Sequence, residues 1–273
     1  MINNCRKYIP LLILLLSVFT EIYPTENKTR YISTGGGWAH MGLRDNGISP
    51  LYYSGNHPCF YAGFQSRSDT TRNSLKIGLL YGSVTPSIYP QLTSSEMKII
   101  NPVVSYSHMR LAGNFFNGKG KLFLGGVMET QFASYEHNRL TNSARNNYFF
   151  STLNISSSLS LSLFTKEMRE INLHAGLFIP VVVFAVRPSY AYIKPAGFLD
   201  HETGHLQSLI KSVEISSLNK FIGADSYFSL EYKTKNNNII SIGYSWEFFD
   251  HNTANRLESS THMLTLKTMF NFW

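Results

Sequence analysis

Hydrophobic and polar residues alternate with a period of two along most of the chain. In "NISSSLSLSL" (154–163), isoleucine and leucine take one parity, whereas asparagine and most serines take the other, and "IISIGYSWEFF" (239–249) alternates in the same way. Alternation over about eight to ten residues is typical of β-strands with one apolar and one polar face. No segment of comparable helical period follows the N-terminal region. The pattern therefore predicts an all-β fold.

The alternating segments number about ten, and the connections between them alternate in length. The strand candidates lie near 31–44, 58–68, 74–84, 100–112, 121–136, 147–164, 171–186, 223–234, 238–250 and 260–273. The predicted short connections are 68–73, 114–120, 165–170 and 235–238, and the long ones are 45–57, 85–99, 137–146, 187–222 and 251–259. An even strand number with long loops on one side only is expected of a transmembrane antiparallel β-barrel, and a soluble sandwich has no reason to sort its loops in this way.

Other strand numbers stay open at this point. Pro180, within "LFIPVVVF", removes a backbone donor and predicts a bulge or a strand end inside segment 171–186. A further hairpin drawn from 187–193 and 211–217 would give twelve strands, and eight is the alternative with fewer. Ten strands is the primary prediction.

The chain ends on one more alternating segment, "MLTLKTMFNFW" (263–273). Leu264, Leu266, Phe270 and Phe272 share one face, and Trp273 falls on the other. In this ending the sequence resembles bacterial outer-membrane β-barrel proteins, whose last strand commonly closes on an aromatic residue read by the barrel assembly machinery. The resemblance implies a protein of the Gram-negative cell outer membrane, with both termini in the periplasm. Its implied partners are outer-membrane lipid and the assembly machinery.

The N-terminus has the pattern of an export signal. Arg6 and Lys7 precede the apolar run Leu11–Phe19, which is too short to span a bilayer. We predict a signal peptide over 1–26, cleaved between Thr20 and Arg30, and a single barrel domain over 27–273. Removal of the signal leaves Cys59 as the one cysteine, so no intramolecular disulfide is expected.

Composition narrows the possible partners. Charged residues make up 15% of the chain, against about a quarter in average soluble domains, and aromatic residues make up 14%. The net charge is +7, but the basic residues are scattered at segment ends, and no nucleic-acid-binding motif accompanies them. Contact with anionic lipid headgroups fits this distribution, and a nucleic-acid partner is not expected.

The polar face of the strands predicts the contents of the lumen. Polar lumen positions are expected at Gln65, Arg67, Lys76, Glu231, Lys233 and Glu247. A ten-stranded barrel has a narrow interior, and charges of both signs predict an internal salt-bridge network rather than a wide pore. The favoured function is a structural or ligand- and partner-binding role through the extracellular loops, without catalytic residues or cofactors. A narrow porin-like channel or transporter is the alternative.

An acyl hydrolase acting on outer-membrane lipid is a weaker alternative. It requires a serine beside a histidine that is oriented by a third group. The candidates are His174 with the serines of 156–162, and His108 beside Ser105 and Ser107. No G-x-S-x-G signature accompanies either set.

A zinc hydrolase is the remaining alternative, because His201, Glu202 and His205 spell H-E-x-x-H. On a helix this spacing places two imidazoles on one face, with the glutamate as general base. The match lies in a long connection, Gly204 is a poor helix residue, and no third ligand follows apart from a distant carboxylate such as Glu214. We therefore assign no metal site and keep these three residues as the weak alternative.

Overall fold

A computed structural model describes residues 28–88, 95–137, 145–166, 169–186, 213–252 and 255–272. These residues contain the strands β1 (Thr29–Asp45), β2 (Ser49–Arg67), β3 (Thr71–Pro86), β4 (Met97–Phe115), β5 (Gly120–His137), β6 (Arg145–Lys166), β7 (Arg169–Val186), β8 (Glu214–Ser216), β9 (Phe221–Lys233), β10 (Ile239–His251) and β11 (Leu257–Asn271). The predicted signal segment 1–26 and Trp273 lie outside the described residues. Within the described ranges, no helix has the length and apolarity needed to cross a membrane.

Ten of these strands form a closed antiparallel barrel. Each strand from β1 to β6 pairs with the next, β7 pairs with β9, β9 pairs with β10, and β11 pairs with both β10 and β1. The three-residue β8 continues the wall above β9, where it pairs with the last part of β7. The predicted ten-stranded barrel is confirmed. The alternatives of eight and twelve strands are wrong, because the β7–β9 and β1–β11 pairings leave no place for a further hairpin.

The two ends of the barrel differ in their connections. We call the end that carries the turns 68–70, 116–119 and 234–238, where β6 also ends and β7 begins, the turn end. The opposite end, called the loop end, carries the turn 46–48 and the strand ends that flank the intervals 87–96, 138–144, 187–213 and 252–256. The first and the last described residues both lie at the turn end. The predicted sorting of short and long connections therefore holds, with one exception.

The exception is the segment 45–57. The prediction of a loop is wrong for most of it, because residues 49–57 belong to β2. Strand β2 begins at Ser49 and continues the hairpin with β1, so that Tyr53 pairs with Leu43 and Tyr52 with Arg44. Only residues 46–48 form the turn, in which the backbone N–H of Gly47 donates to the Asp45 Oδ1 at 2.9 Å. Turn-forming residues within "SPLYYSGNH" suggested a loop, but cross-strand pairing overrides local preference here.

Toward the turn end, the outer surface of the barrel is apolar. Ile32, Ile77 and Ile242 are each more than half exposed on this surface. The residues of this outer belt include Ile32, Trp38, Phe60, Phe64, Leu75, Ile77, Leu79, Ile100, Val104, Leu124, Met128, Leu153, Ile155, Leu159, Leu177, Ile179, Phe228, Leu230, Ile240, Ile242, Leu264, Leu266 and Phe270. An apolar band on every wall strand is the outer surface that a hydrocarbon environment requires.

Toward the loop end, the apolar face changes sides. On β1, Trp38 points outward with 58% exposure, whereas Ala39, Met41 and Leu43 point inward with at most 2% exposure. Between them, His40 faces outward and its Nδ1 lies 2.8 Å from the Asn56 Oδ1. On β5, likewise, Phe132 is exposed on the outer face, whereas Tyr135 is buried in the lumen. The barrel therefore consists of a turn half with an apolar exterior and a loop half with an apolar interior.

Pro180 lies at a β-bulge, as the sequence indicated. Leu153 of β6 pairs with Val182, and the next residue, Asn154, pairs with Pro180, so Val181 has no partner of its own in the ladder. A proline at a bulge avoids the loss of a ladder hydrogen bond. The strand continues on both sides of the bulge.

Candidate functional site in the barrel lumen

A charged floor occupies the lumen near the turn end, centred on Glu231 of β9. Arg67 donates to both Glu231 oxygens, from Nη1 to Oε2 at 2.7 Å and from Nη2 to Oε1 at 3.0 Å. His174 Nε2 lies 3.0 Å from Oε2, and Lys267 Nζ lies 3.6 Å from Oε1. The Glu231 side chain is 3% exposed. The predicted internal salt-bridge network is confirmed for Arg67 and Glu231.

Arg72 extends the floor without a carboxylate of its own among the described residues. Its guanidinium lies over the Phe123 ring, 4.0 Å from the centroid, and its Nη1 lies 3.3 Å from the His174 Nδ1. A guanidinium stacked on an aromatic face is held by cation–π attraction as well as by hydrogen bonds. Three cationic side chains therefore surround a single carboxylate at this level.

An apolar roof occupies the lumen of the loop half. Its members are buried hydrophobic side chains from most strands of the barrel: Ala39, Met41, Leu43, Tyr53, Cys59, Leu80, Val84, Met97, Ile99, Ala133, Tyr135, Tyr148, Phe150, Val183, Ala185, Phe221 and Leu257. Phe150 is central, with ring centroids 6.0 Å from Phe221 and 5.6 Å from Phe249. Cys59 is a buried free thiol within this roof. Side-chain packing of this kind fills the interior as a core does.

A cavity of about 380 Å³ lies between the floor and the roof. Asp225 and Glu247 line it as direct cross-strand partners on β9 and β10. On the other side of the barrel, Lys76, Ser105 and Glu129 follow one another in register across β3, β4 and β5. The cavity therefore has an acidic middle, a cationic floor and an apolar roof.

The predicted lumen positions are found largely where the sequence placed them. Gln65, Arg67, Lys76, Glu231 and Glu247 line the cavity. Lys233 lies at the turn end, with its Nζ 3.4 Å from the Glu170 Oε1.

Sequence reasoning missed four charged lumen residues, Arg72, Glu129, Asp225 and Lys267. Each shares the polar parity of its strand, as Asp225 does with Glu231, so strand parity was the signal that could have identified them.

The structure does not assemble either serine–histidine pair. Ser158 and His174 both face the lumen, but the Ser158 Oγ lies 2.8 Å from the Tyr227 hydroxyl, and the His174 nitrogens lie against Glu231 and Arg72. A catalytic serine requires its hydroxyl on the histidine nitrogen that takes the proton.

The second serine–histidine set is divided between the two faces of β4. His108 faces outward, where its Nδ1 lies 2.6 Å from the Asn73 Oδ1, whereas Ser105 and Ser107 face inward. Adjacent residues of a strand point to opposite faces, so this set was never suited to one site.

The H-E-x-x-H residues His201, Glu202 and His205 lie outside the described residues, so the zinc alternative stays a prediction. Glu214, the conceivable distant ligand, accepts a hydrogen bond from the Lys220 Nζ at 2.7 Å. Across the described part of the chain, no group of three or more His, Cys, Asp or Glu side chains is placed to hold a metal ion.

Comparison with known proteins gives similarity at the level of the fold. No family model matches the chain, and no curated protein matches it. Among solved structures, the outer membrane protease OmpT from Escherichia coli is 8% identical, with 91% of this chain and 98% of that chain covered and a TM-score of 0.49. Neisserial surface protein A is 12% identical, with 90% and 100% covered and a TM-score of 0.39. The transport unit of the autotransporter AIDA-I from Escherichia coli is 12% identical, with 97% of both chains covered and a TM-score of 0.42.

The strand pairing and the two faces of the wall define the class of this protein. It is a closed, antiparallel, ten-stranded β-barrel with an apolar outer belt on one half and a charged lumen inside that belt.

Proposed function

We propose that the protein is an outer-membrane barrel whose turn half lies in the bilayer and whose loop half projects from it. The outer belt supports this placement, because exposed apolar side chains on every wall strand are stable in hydrocarbon and unstable in water. The wall strands are 13 to 22 residues long, whereas about 9–11 residues cross a bilayer. The surplus length belongs to the loop half, whose exterior carries polar residues such as His40 and Asn56 beside exposed apolar ones such as Ile222.

The proposed role is to hold the loop end above the membrane and present it to an extracellular ligand or partner, without catalysis. The observation that carries this role is the exchange of apolar and polar faces between the two halves. A projecting half with a packed apolar interior is a rigid support for the loops that it carries.

A narrow channel is the second candidate, because the lumen of the turn half is polar and contains a cavity. Against it, the Glu231 network and the Phe150 cluster fill the lumen on either side of that cavity. Planar bilayer recordings on the purified barrel separate the two roles. We expect no unitary conductance, and reproducible conductance steps would favour the channel.

The placement in the membrane is tested by labelling engineered cysteines on intact cells. Asn46 lies in the β1–β2 turn at the loop end, and Asn236 lies in the β9–β10 turn at the turn end. A membrane-impermeant maleimide should label Asn46→Cys on intact cells and Asn236→Cys only after lysis. The wild-type chain is the control, because Cys59 is buried. The reverse labelling order would contradict the proposed orientation.

The binding role is tested by removing the loop end from cells that display the barrel. Binding of purified lipopolysaccharide and of extracellular matrix proteins is measured before and after protease treatment of intact cells. We expect binding that disappears with the loops while the protected barrel persists. Binding that survives the treatment would contradict a role for the loops.

A further inference from the structure

We propose that the lumen cavity binds a small organic cation, an amine with a short apolar or aromatic body. This site lies between the charged floor and the apolar roof and uses none of the loops. It therefore goes beyond the proposed function and stands on its own observations.

The first observation is a pair of acidic side chains placed side by side. Asp225 of β9 and Glu247 of β10 are direct partners in the antiparallel ladder, and both line the cavity. Directly opposed side chains have Cβ atoms about 4.5–5.5 Å apart, and like charges in that position destabilise a sheet. A positive charge between the two carboxylates removes this repulsion.

The second observation is the shortage of cations around this pair. Glu129 interacts electrostatically with the pair across the lumen, and Lys76 is the cation that acts on all three carboxylates. Lys76 Nζ also lies 5.6 Å from the centroid of the Tyr61 ring. Among the described residues, no lysine or arginine forms an ion pair with any of the three: Arg67 and Lys267 are bound to Glu231, and Arg72 lies over the Phe123 ring.

The third observation is a buried amide oxygen without a partner. Asn101 of β4 lines the same cavity and is 8% exposed, and its Oδ1 accepts no hydrogen bond within the described structure. Leaving a buried acceptor unsatisfied is unfavourable, so such groups normally meet a donor. An N–H of a bound amine is a donor of the required kind.

The walls define the rest of the ligand. Phe150, Phe221, Phe249 and Met263 line the cavity on the roof side, and aromatic rings of this kind attract both apolar groups and organic cations. The volume of about 380 Å³ suits a small molecule, since ligand sites run from about 300 to 1,000 Å³. A bare divalent metal fits less well, because no three metal-binding side chains converge among the described residues.

The test uses the full-length exported barrel in detergent and three probes that differ in charge but share one aromatic ring. Benzylamine is cationic at neutral pH, benzyl alcohol is neutral, and benzoate is anionic. After overnight equilibration, isothermal titration calorimetry should give saturable one-site binding for benzylamine and none for the other two. Equal binding of all three probes, or no saturable binding of benzylamine, would overturn the proposal.

Variants locate the binding site. The double variant Asp225→Asn/Glu247→Gln keeps the side-chain shapes and should weaken benzylamine binding by at least roughly tenfold, because it removes both charge partners of the ammonium group. Glu258→Gln is the matched control, since Glu258 lies on the outer surface and pairs with Arg256. Unchanged affinity in the double variant, or an equal loss in the control, would place the amine elsewhere.

A variant that should bind benzylamine more tightly distinguishes loss of the binding site from loss of folding. Lys76→Met removes the cation that competes for the same carboxylates, so benzylamine should bind more tightly than to the wild-type chain. Heat-modifiable gel migration verifies that each variant forms the barrel. Weaker binding by a folded Lys76→Met barrel would contradict the proposal, even where the double variant does not fold.

Discussion

Arg67 at the end of β2 donates hydrogen bonds to both carboxylate oxygens of Glu231 on β9, at 2.7 and 3.0 Å, across the lumen of the barrel. The two residues are 164 positions apart in sequence, and their strands are separated by β1, β11 and β10 on one side of the wall. The pair therefore ties together distant parts of the barrel at the turn end.

Removing one partner of this buried pair should destabilise the barrel strongly. Glu231→Gln leaves Arg67 and Lys267 without their carboxylate, and the loss of one partner of a buried ion pair costs about 3–5 kcal/mol. Urea unfolding in detergent, followed by tryptophan fluorescence, measures the change in the free energy of unfolding.

A double-mutant cycle with Arg67→Gln separates this pair from its surroundings. The double variant should lose less stability than the sum of the two single variants, because each single change already breaks the same interaction. Strictly additive losses would mean that the pair contributes no coupling.

Truncating the centre of the apolar roof should cost as much as a deletion in a soluble core. Phe150 is 3% exposed and contacts Phe221 and Phe249, so Phe150→Ala is expected to lose about 3–5 kcal/mol of unfolding free energy. Leu218→Ala is the matched control, because Leu218 is 57% exposed in the turn before β9. A similar cost for both changes would contradict a packed roof.

The boundary between the two halves predicts where the wall tolerates a charge. Ile77 and Ser83 both face outward on β3, Ile77 within the outer belt and Ser83 on the loop half. Ile77→Arg should destabilise the barrel in lipid vesicles by about 2–4 kcal/mol, as arginine does on a lipid-facing wall, and Ser83→Arg should have little effect. Reversible folding into vesicles measures both, and equal costs would place the bilayer elsewhere along the strand.

The β2–β3 turn should show a salt-sensitive response to acid. Lys121 donates to Asp69 at 2.7 Å, and this hydrogen bond and the positive charge lower the pKa of the Asp69 carboxyl below 3.8. Because the folded pKa is depressed, the stabilisation is present above pH 3.8 and is lost as the pH falls through the folded pKa.

The control for this prediction is Asp69→Asn, measured at low and high ionic strength. Its difference in unfolding midpoint from the wild-type chain should be small, because Asp69 is almost fully exposed and exposed pairs are screened by salt. A difference that grows at acid pH or at high salt would contradict the ion pair as its cause.

The strand number and most of the lumen positions could be predicted from the sequence. Period-two alternation locates strands and their faces, and parity alone placed Arg67, Glu231 and Glu247 in the lumen. Strand parity does not show that Arg67 binds Glu231 rather than another lumen carboxylate. That contact depends on which strands face each other across the closed barrel.

Two features of the loop end were beyond the reach of the sequence pattern. Residues 49–57 contain Pro50, Gly55 and Asn56, which favour turns locally, yet pairing with β1 holds them in β2. The alternation does not predict the apolar roof, because a regular period of two implies one apolar face along the whole strand. On β1, however, the apolar residues change from the outer face at Trp38 to the lumen face at Ala39.

Because of that change of face, different interactions stabilise the two halves of the barrel. In the proposed placement, lipid covers the apolar surface of the turn half, whereas buried side chains such as Phe150 hold the loop half together. Replacing the bilayer by detergent, or changing the length of the lipid chains, therefore acts mainly on the turn half. The loop half is expected to respond to temperature and denaturant as a packed apolar core does, so the two halves of one barrel wall differ in what destabilises them.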